Sequence, residues 1–268
     1  MPLTAGYLRL AVRIPSGEPC RNLAVATVPS RIAVPPPTPR LPTWIRWVDE
    51  DLWRDIHDGL VVRYHIFLGW NAVLETADDG TRAPSTFYGW VIRNYLESLA
   101  VALRRVTDDT KDSRPVSFVR LLRDIEHNSH ELTHDWFVSR SDPSDTPLAE
   151  KRFRDLSVEG TDHLDPSIAA RDRKVVVASV AEVKTYVDTY LAHLDSQRAP
   201  TGPTVAQAHA AVAAIYRAYR DWHLILTGVE IGPLISIPWE HMFTRAWLTN
   251  EQAIEIARQT ADEWDRLI

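Results

Sequence analysis

The pattern of apolar and polar positions along the chain is typical of helices. Between residues 204 and 227, apolar side chains recur at alternating steps of three and four, which places them on one helical face. Pro203 precedes this stretch, Thr204 and Gln207 have the spacing of a capping box, and Gly228 follows the last turn. The sequence therefore predicts a long helix with defined ends. Its apolar stripe consists of Val205, Ala208, Val212, Ile215, Tyr219, Trp222 and Leu226.

The same spacing predicts most of the remaining architecture. Further helices are expected over about 47–77, 85–106, 166–197 and 250–268, with a short helix after Pro115. Residues 141–165 are rich in Asp, Ser and Pro and predict a loop with at most one short helix, and 229–249 predict an irregular crossing segment. Because no credible strand pairing is found, the predicted fold is all-α, a mostly antiparallel helical bundle.

Residues 1–43 differ in composition from the rest of the chain. They contain nine prolines, five arginines and a single acid, Glu18, and they carry no periodic apolar face. The apolar run over residues 7–12 is short and is interrupted by Arg9, which argues against a signal peptide. We therefore predict a disordered, proline-rich tail over 1–43 and one helical domain over 44–268.

Composition and charge exclude several classes of protein. The single cysteine, Cys20, rules out a disulfide scaffold and a cysteine-rich zinc module. No apolar stretch approaches the roughly 18 residues of a membrane span, so we expect a cytoplasmic protein. The net charge of −6 provides no general attraction to nucleic acid. RNA binding would need a local basic groove, for which the candidates are Arg104 with Arg105, Arg120 with Arg123, and the group Arg171, Arg173 and Lys174.

One short pattern suggests a metal enzyme. His130, Glu131 and His134 match the H-E-x-x-H pattern of zinc peptidases. Residues four apart share a helical face, so both imidazoles could bind one zinc while the glutamate activates the metal-bound water. The flanking residues are polar, however, and Asn128 with Glu131 has the spacing of a helix cap. A zinc hydrolase is thus an alternative, beside a capped surface helix that needs no cofactor.

A second candidate is His193, near the end of the predicted helix 166–197. It lies about 100° from the centre of the apolar stripe that runs from Val176 to Leu194, at the boundary of the buried face. An imidazole at such a boundary can reach a groove or a dimer interface and suits proton transfer at phosphate. Packing on Tyr186 or a bond to Asp195 is the purely structural explanation.

Several stretches of the chain resemble the abortive-infection branch of the HEPN superfamily, small helical bundles of prokaryotic defence and toxin systems. The resemblance is carried by residues 93–108, 117–125 and 190–195, followed by Pro203-Thr204 and the helix that ends in Leu226-Thr227-Gly228. It implies a metal-independent ribonuclease, or an RNA-binding protein in which catalysis has decayed. The implied setting is a bacterial defence or toxin–antitoxin system, with RNA, a homodimer and an antitoxin or defence protein as partners.

The resemblance also implies a site. The family's active motif is an arginine, four to six residues, and then a histidine, with two copies meeting at a homodimer interface. The histidine helps to activate a ribose 2′-hydroxyl, and the arginine stabilises the developing charge. His193, beside Asp195, is similar to the family histidine, but residues 187–189 are Val, Asp and Thr. The motif arginine is therefore missing there, and Arg93 is the candidate to supply a guanidinium from another helix.

A third hypothesis is a non-enzymatic protein-interaction module. Trp44, Trp47 and Trp53 cluster at the start of the first predicted helix, and tryptophan is a favoured anchor at interfaces. Packing of these rings in the core, against the last helix through Trp264, is the alternative explanation.

Overall fold

A computed structural model describes residues 40–76, 86–110, 116–191 and 203–232, together with residues 251, 252, 254, 255, 258 and 259. Within these residues the predicted all-α fold is confirmed, since the β features are confined to two isolated bridges, Thr133 with His163 and Ser157 with Leu164. In the same part of the chain, no helix combines the length and the apolar composition that crossing a membrane requires.

The helices follow the order that the apolar spacing predicts. They are α1 (Leu41–Arg46), α2 (Arg63–Thr76), α3 (Thr86–Val106), α4 (Phe118–His127), α5 (His134–Ser139), α6 (Thr146–Leu156), α7 (Pro166–Ser179), α8 (Ala181–Tyr186) and α9 (Val205–Thr227). The helix α6 is the one short helix expected within 141–165. The helical backbone at 251, 252, 254, 255, 258 and 259 falls within the predicted terminal helix, while Trp264 lies outside the described residues.

The first helical segment is longer than predicted and irregular. It runs without interruption from Leu41 to Thr76, and two π-helical stretches, Trp47–Asp51 and Arg54–Val62, connect α1 to α2. It begins inside the segment that we assigned to the tail, and Leu41 is only 1% exposed. Pro42 lies in the first turn, where a proline costs no hydrogen bond. The prediction relied on proline content and therefore placed the start of the helix too late.

The helix α9 lies at the centre of the core. Tyr219 and Trp222 are fully buried, and the Tyr219 hydroxyl donates a 2.6 Å hydrogen bond to the carbonyl oxygen of Val48. Near the other end of α9, His209 contacts the edge of Phe67, so α9 is antiparallel to the first helical segment. Phe67 in turn stacks on Tyr95 of α3 at 4.0 Å. These contacts confirm an antiparallel arrangement for α9 and the first segment.

The ends of α9 are those that the sequence predicts. Thr204 and Gln207 form the reciprocal capping box, and Gly228 adopts a left-handed conformation with φ of 75°. The predicted helix 166–197 is instead broken at Val180, whose φ and ψ of −107° and 2° separate α7 from α8. A π-helical stretch, Val187–Leu191, follows α8. The break follows residues 175–179, Val-Val-Val-Ala-Ser, in which valine and serine favour the helix less than alanine does.

Candidate functional site

The helix α4 is strongly amphipathic, and its polar face forms one wall of a surface groove. Its N-terminus is fixed by Ser117, whose side-chain oxygen accepts a 3.2 Å hydrogen bond from the backbone N–H of Arg120. The buried face packs into the core through Phe118, Val119, Leu121, Leu122 and Ile125. Because this apolar face is buried, the charged residues that lie between the apolar positions of α4 point outward.

The groove lies between α4 and the start of the first helical segment. Its volume is about 530 Å³, which is large enough for one or two nucleotides, and its lining combines arginine, histidine, tryptophan and one carboxylate. The lining residues are Arg40, Trp47, Arg120, Arg123, Asp124 and His127. The lining contains three guanidinium groups and one carboxylate, which concentrates arginine on this surface.

The positively charged groups of the groove are placed by contacts with neighbouring residues. The Arg120 guanidinium lies over the ring of Trp47, 5.5 Å from its centroid. Arg123 forms a 2.5 Å ion pair with Asp109, which is 37% exposed. This pair fixes the position of the Arg123 guanidinium at the edge of the groove.

His127 has a defined orientation in the groove. Its Nδ1 lies 2.6 Å from the carbonyl oxygen of Arg123. A carbonyl oxygen can only accept, so Nδ1 carries the proton, and in the neutral ring Nε2 has the free lone pair. The side chain is exposed, which leaves Nε2 available to take a proton from a ligand.

Asp124 organises the groove. One of its oxygens accepts a 2.6 Å hydrogen bond from Arg40, and the other accepts one of 2.8 Å from the indole N–H of the buried Trp44. The amide of Asn128 donates to the first oxygen at 3.3 Å. Asp124 therefore links the start of the first helical segment to α4, and its carboxylate is occupied by these hydrogen bonds.

Arginines of the other two basic clusters are paired with acids as well. Arg104 binds Asp188 at 2.9 Å and Asp108 at 3.1 Å, and Arg105 binds Asp55 at 3.0 Å. Burial lowers the pKa of Arg104, but its hydrogen bonds to the two aspartates outweigh that effect and raise the pKa overall. Arg171 and Arg173 bind Asp172 and Glu126. The remaining predicted pair, Arg120 and Arg123, lines the groove beside α4.

The H-E-x-x-H segment does not form the helical face that zinc binding would require. His130 and Glu131 belong to a short 3-10 turn, Ser129–Glu131, whereas His134 begins α5. Between them Thr133 is extended, with φ and ψ of −79° and 158°. Two tertiary hydrogen bonds hold this conformation, from the His134 N–H to Asp162 at 2.7 Å and from the Leu164 N–H to Leu132 at 3.0 Å.

Side chains in and beside the H-E-x-x-H segment make hydrogen bonds that have no relation to metal binding. Glu131 accepts a 3.2 Å hydrogen bond from the backbone N–H of Arg40. The expected helix cap formed by Asn128 and Glu131 is wrong: Asn128 precedes the 3-10 turn, but its side chain makes no capping hydrogen bond and donates to the carbonyl oxygen of Asp124 at 2.8 Å. Within the described ranges, no group of three or more His, Cys, Asp or Glu side chains is placed to hold a metal ion.

The predicted site around His193 is only partly described. His193 and Asp195 lie outside the described residues, while Arg93 is exposed on α3. The π-helical turn that leads toward His193 contacts α3 through Asp188 and Arg104. Arg93 is eleven residues before Arg104, about 16 Å along the helix axis. The catalytic assignment of His193, Asp195 and Arg93 therefore remains a prediction.

The sequence also contains the implied arginine–histidine spacing at three places that we did not consider. Arg120 and His127 have six residues between them, as do Arg123 and His130, and five separate Arg217 from His223. Arg120 and His127 both line the groove. A search upstream of every histidine would have found these pairs, but the spacing alone could not rank them.

The third pair, Arg217 and His223, is arranged differently. His223 is 5% exposed, and its Nδ1 and Nε2 lie 2.9 Å from the Val229 carbonyl oxygen and 3.3 Å from an Asp49 carboxylate oxygen. Both nitrogens thus hold the end of α9 in place, and Arg217 is exposed on another side of the helix. We interpret His223 as a residue that fixes the end of α9 against the first helical segment.

The tryptophans at the start of the first segment contribute to packing. Trp44 is completely buried, and Trp47 and Trp53 are half-buried against the core. Trp53 stacks on His57 at 4.4 Å. Of the three, Trp47 is the one that lines the groove.

Residues 41–247 match the family model HEPN_AbiU2, described as AbiU2. No curated protein and no solved structure is significantly similar to the chain.

Proposed function

The chain belongs to the AbiU2 family, an abortive-infection-like family of the HEPN superfamily, and from that premise we propose that it binds RNA in the groove between α4 and the first helical segment. The observation that carries this proposal is the lining of the groove, in which Arg120, Arg123 and Trp47 lie together. Guanidinium groups bind phosphates, and an indole ring stacks on bases irrespective of sequence.

The same groove can support cleavage of RNA without a metal ion. The Nε2 atom of His127 takes the proton of a ribose 2′-hydroxyl, whose oxygen then attacks the adjacent phosphorus. The bond from phosphorus to the 5′-oxygen breaks, and that oxygen takes a proton from water. Arg120 stabilises the additional negative charge on the phosphate. The products are a 2′,3′-cyclic phosphate and a 5′-hydroxyl end.

Binding is tested with full-length protein, a fluorescein-labelled 20-nucleotide RNA of mixed sequence and fluorescence anisotropy in EDTA. We expect the double variant Arg120→Gln/Arg123→Gln to bind about tenfold more weakly at low salt, because two phosphate contacts are lost. The salt dependence of its log binding constant should fall by about 1.4. The control is Arg152→Gln/Arg154→Gln, which removes the same charge from the exposed face of α6. Equal loss in both double variants, or no binding by the wild type, would contradict the proposal.

Cleavage is tested separately, with the same RNA in EDTA and with the variants His127→Ala and His193→Ala. Loss of cleavage in His127→Ala alone would place the general base in the groove. Loss in His193→Ala alone would move catalysis to the set His193, Asp195 and Arg93. Binding without cleavage by the wild type would identify an RNA-binding member in which catalysis has decayed. A homodimer and an antitoxin or defence-protein partner follow from the family and stand as proposals.

A further inference from the structure

One arginine near the end of α3 is held by carboxylates on two sides. The Nε atom of Arg104 donates a 2.9 Å hydrogen bond to Asp188, in the π-helical stretch Val187–Leu191, and its Nη1 atom lies 3.1 Å from the carboxylate of Asp108. The Arg104 side chain is 23% exposed, so water screens these contacts less than those of an exposed ion pair. Together they fix one orientation of the guanidinium, in which it reaches the residues directly after α3.

The turn after α3, residues 108–110, is fixed through Asp108. Its carboxylate accepts a 3.1 Å hydrogen bond from the backbone N–H of Thr110, and its carbonyl oxygen accepts one from the Ser117 hydroxyl. Burial raises the pKa of Asp108, but the hydrogen bonds from Thr110 and Arg104 outweigh that effect and lower the pKa overall. Asp108 is thus a carboxylate at neutral pH, and it links the end of α3 to the residue that caps α4.

The next residue of this turn, Asp109, holds an arginine of the groove. Its carboxylate lies 2.5 Å from Nη1 of Arg123, and the same nitrogen donates to its backbone carbonyl oxygen at 3.5 Å. Arg123 belongs to α4, but its guanidinium is placed by the turn. Because Asp108 and Asp109 share one backbone, a turn that loses its contact with α3 carries this guanidinium out of position.

We propose that Arg104 is a positioning residue of the RNA groove and holds Arg123 in place through the turn 108–110. This inference rests on the proposed function, since it requires that the groove binds RNA. Arg104 is not among the residues that line the groove, so it acts without touching the ligand. An arginine that is already held loses less side-chain freedom when a phosphate binds, which strengthens binding by about threefold for one side chain.

The test measures binding of the fluorescein-labelled 20-nucleotide RNA in EDTA, with full-length variants whose folding is verified by circular dichroism. We expect Arg104→Gln to bind about threefold more weakly, because Arg123 loses its fixed position. Asp108→Asn weakens the same ion pair from its other end and should show a similar loss. The two variants change the net charge in opposite directions, so a shared loss cannot come from charge alone.

The matched control is Arg105→Gln. Arg105 adjoins Arg104 on α3 and pairs with Asp55 at 3.0 Å, so this variant removes the same charge and leaves the side-chain contacts of the turn intact. We expect it to bind RNA as the wild type does. A loss in Arg105→Gln equal to that in Arg104→Gln would overturn the inference.

A double-mutant cycle separates positioning from a general effect on the fold. If Arg104 acts through Arg123, Arg104→Gln causes no further loss in an Arg123→Gln background. Equal loss in both backgrounds would overturn the inference, as would wild-type affinity in a folded Arg104→Gln protein. If Arg104→Gln does not fold, the same cycle with Asp108→Asn decides.

The outcomes also separate this inference from the proposed function. If the inference is overturned in any of these ways, weaker binding by Arg120→Gln/Arg123→Gln leaves the proposed function intact. No binding of the RNA by the wild type would overturn both.

Discussion

At the scale of single residues, hydrogen bonding decides which charges are available for a ligand. Asp124 lies in the groove but already accepts hydrogen bonds from Arg40, Trp44 and Asn128. His127 has one nitrogen bound to a carbonyl oxygen and the other available. We therefore interpret Asp124 as a positioning residue, and the chemistry that we propose for the groove is assigned to His127.

Replacing Asp124 should destabilise the fold. We expect Asp124→Ala to lower the free energy of unfolding by about 2 kcal/mol, because the indole N–H of Trp44 loses a charged acceptor in the core. The ion pair with the half-exposed Arg40 contributes little to this value. Asp124→Asn keeps an acceptor oxygen and should cost about half as much. Urea denaturation measures both variants.

The control for this prediction is Asp135→Ala. The Asp135 side chain is 84% exposed and bonds only to the neighbouring His134, so its loss should change the unfolding free energy by less than about 0.5 kcal/mol. If Asp124→Ala were as mild as this control, the anchoring role of Asp124 would be wrong.

At the scale of the elements, the position of a helix end is set either by residues close in sequence or by packing against distant residues. The start of α9 is set by Thr204 and Gln207 and its end by Gly228, all adjacent in sequence. The end of α9 is further held by Arg140, which follows the last residue of α5 and donates to the carbonyl oxygens of Ile225 and Leu226. The start of α5 depends on distant residues, since the strand-like contacts with 162–164 keep Thr133 extended.

Alanine substitutions at two glycines should change the free energy of unfolding in opposite directions, which tests how far local backbone conformation determines helix stability. Gly228→Ala should lower the free energy of unfolding by about 1 kcal/mol, because φ of 75° is strained for a residue with a Cβ. Gly89→Ala lies within α3, where a Cβ meets nothing within 4 Å, and should raise it by about 0.5–1 kcal/mol. Thermal and urea unfolding of both variants measure the difference. Changes of the same sign would contradict this account of the end of α9.

At the scale of the whole molecule, the charge distribution matters more than the net charge. The chain carries −6, yet the basic pairs Arg104 with Arg105 and Arg171 with Arg173 are neutralised by aspartates and a glutamate. The groove beside α4 brings three guanidinium groups together on one surface, although Arg40 and Arg123 are also paired there, with Asp124 and Asp109. Because the salt dependence of RNA affinity is proportional to the number of phosphate contacts, binding through so few contacts is expected to weaken only modestly as salt is raised.

We also expect that the folded protein contains no stoichiometric zinc and does not need zinc to bind RNA. Because His130 and His134 do not share a helical face, we expect purified full-length protein to contain well below one zinc per chain, measured by mass spectrometry of the metals. His134→Ala should leave both the zinc content and the RNA binding unchanged. Stoichiometric zinc that disappears in His134→Ala would contradict the structural interpretation and return the zinc hydrolase as the leading alternative.

The sequence by itself determined the helical class, most helix positions and both ends of α9. These features depend on periodicity and on capping groups within a few residues of each other, so the local chain carries the information. It also contained every residue of the groove, and Arg120 with Arg123 was already a candidate basic pair.

Only the tertiary structure decided which of these residues act together. Trp47 and Arg120 are 73 positions apart, and their contact exists because α4 and the first helical segment pack against each other around Asp124. The H-E-x-x-H pattern failed for the same reason, since hydrogen bonds to residues 162–164 outweigh its local tendency to form one helix. Spacing along the chain predicts a shared face only where packing leaves the helix continuous.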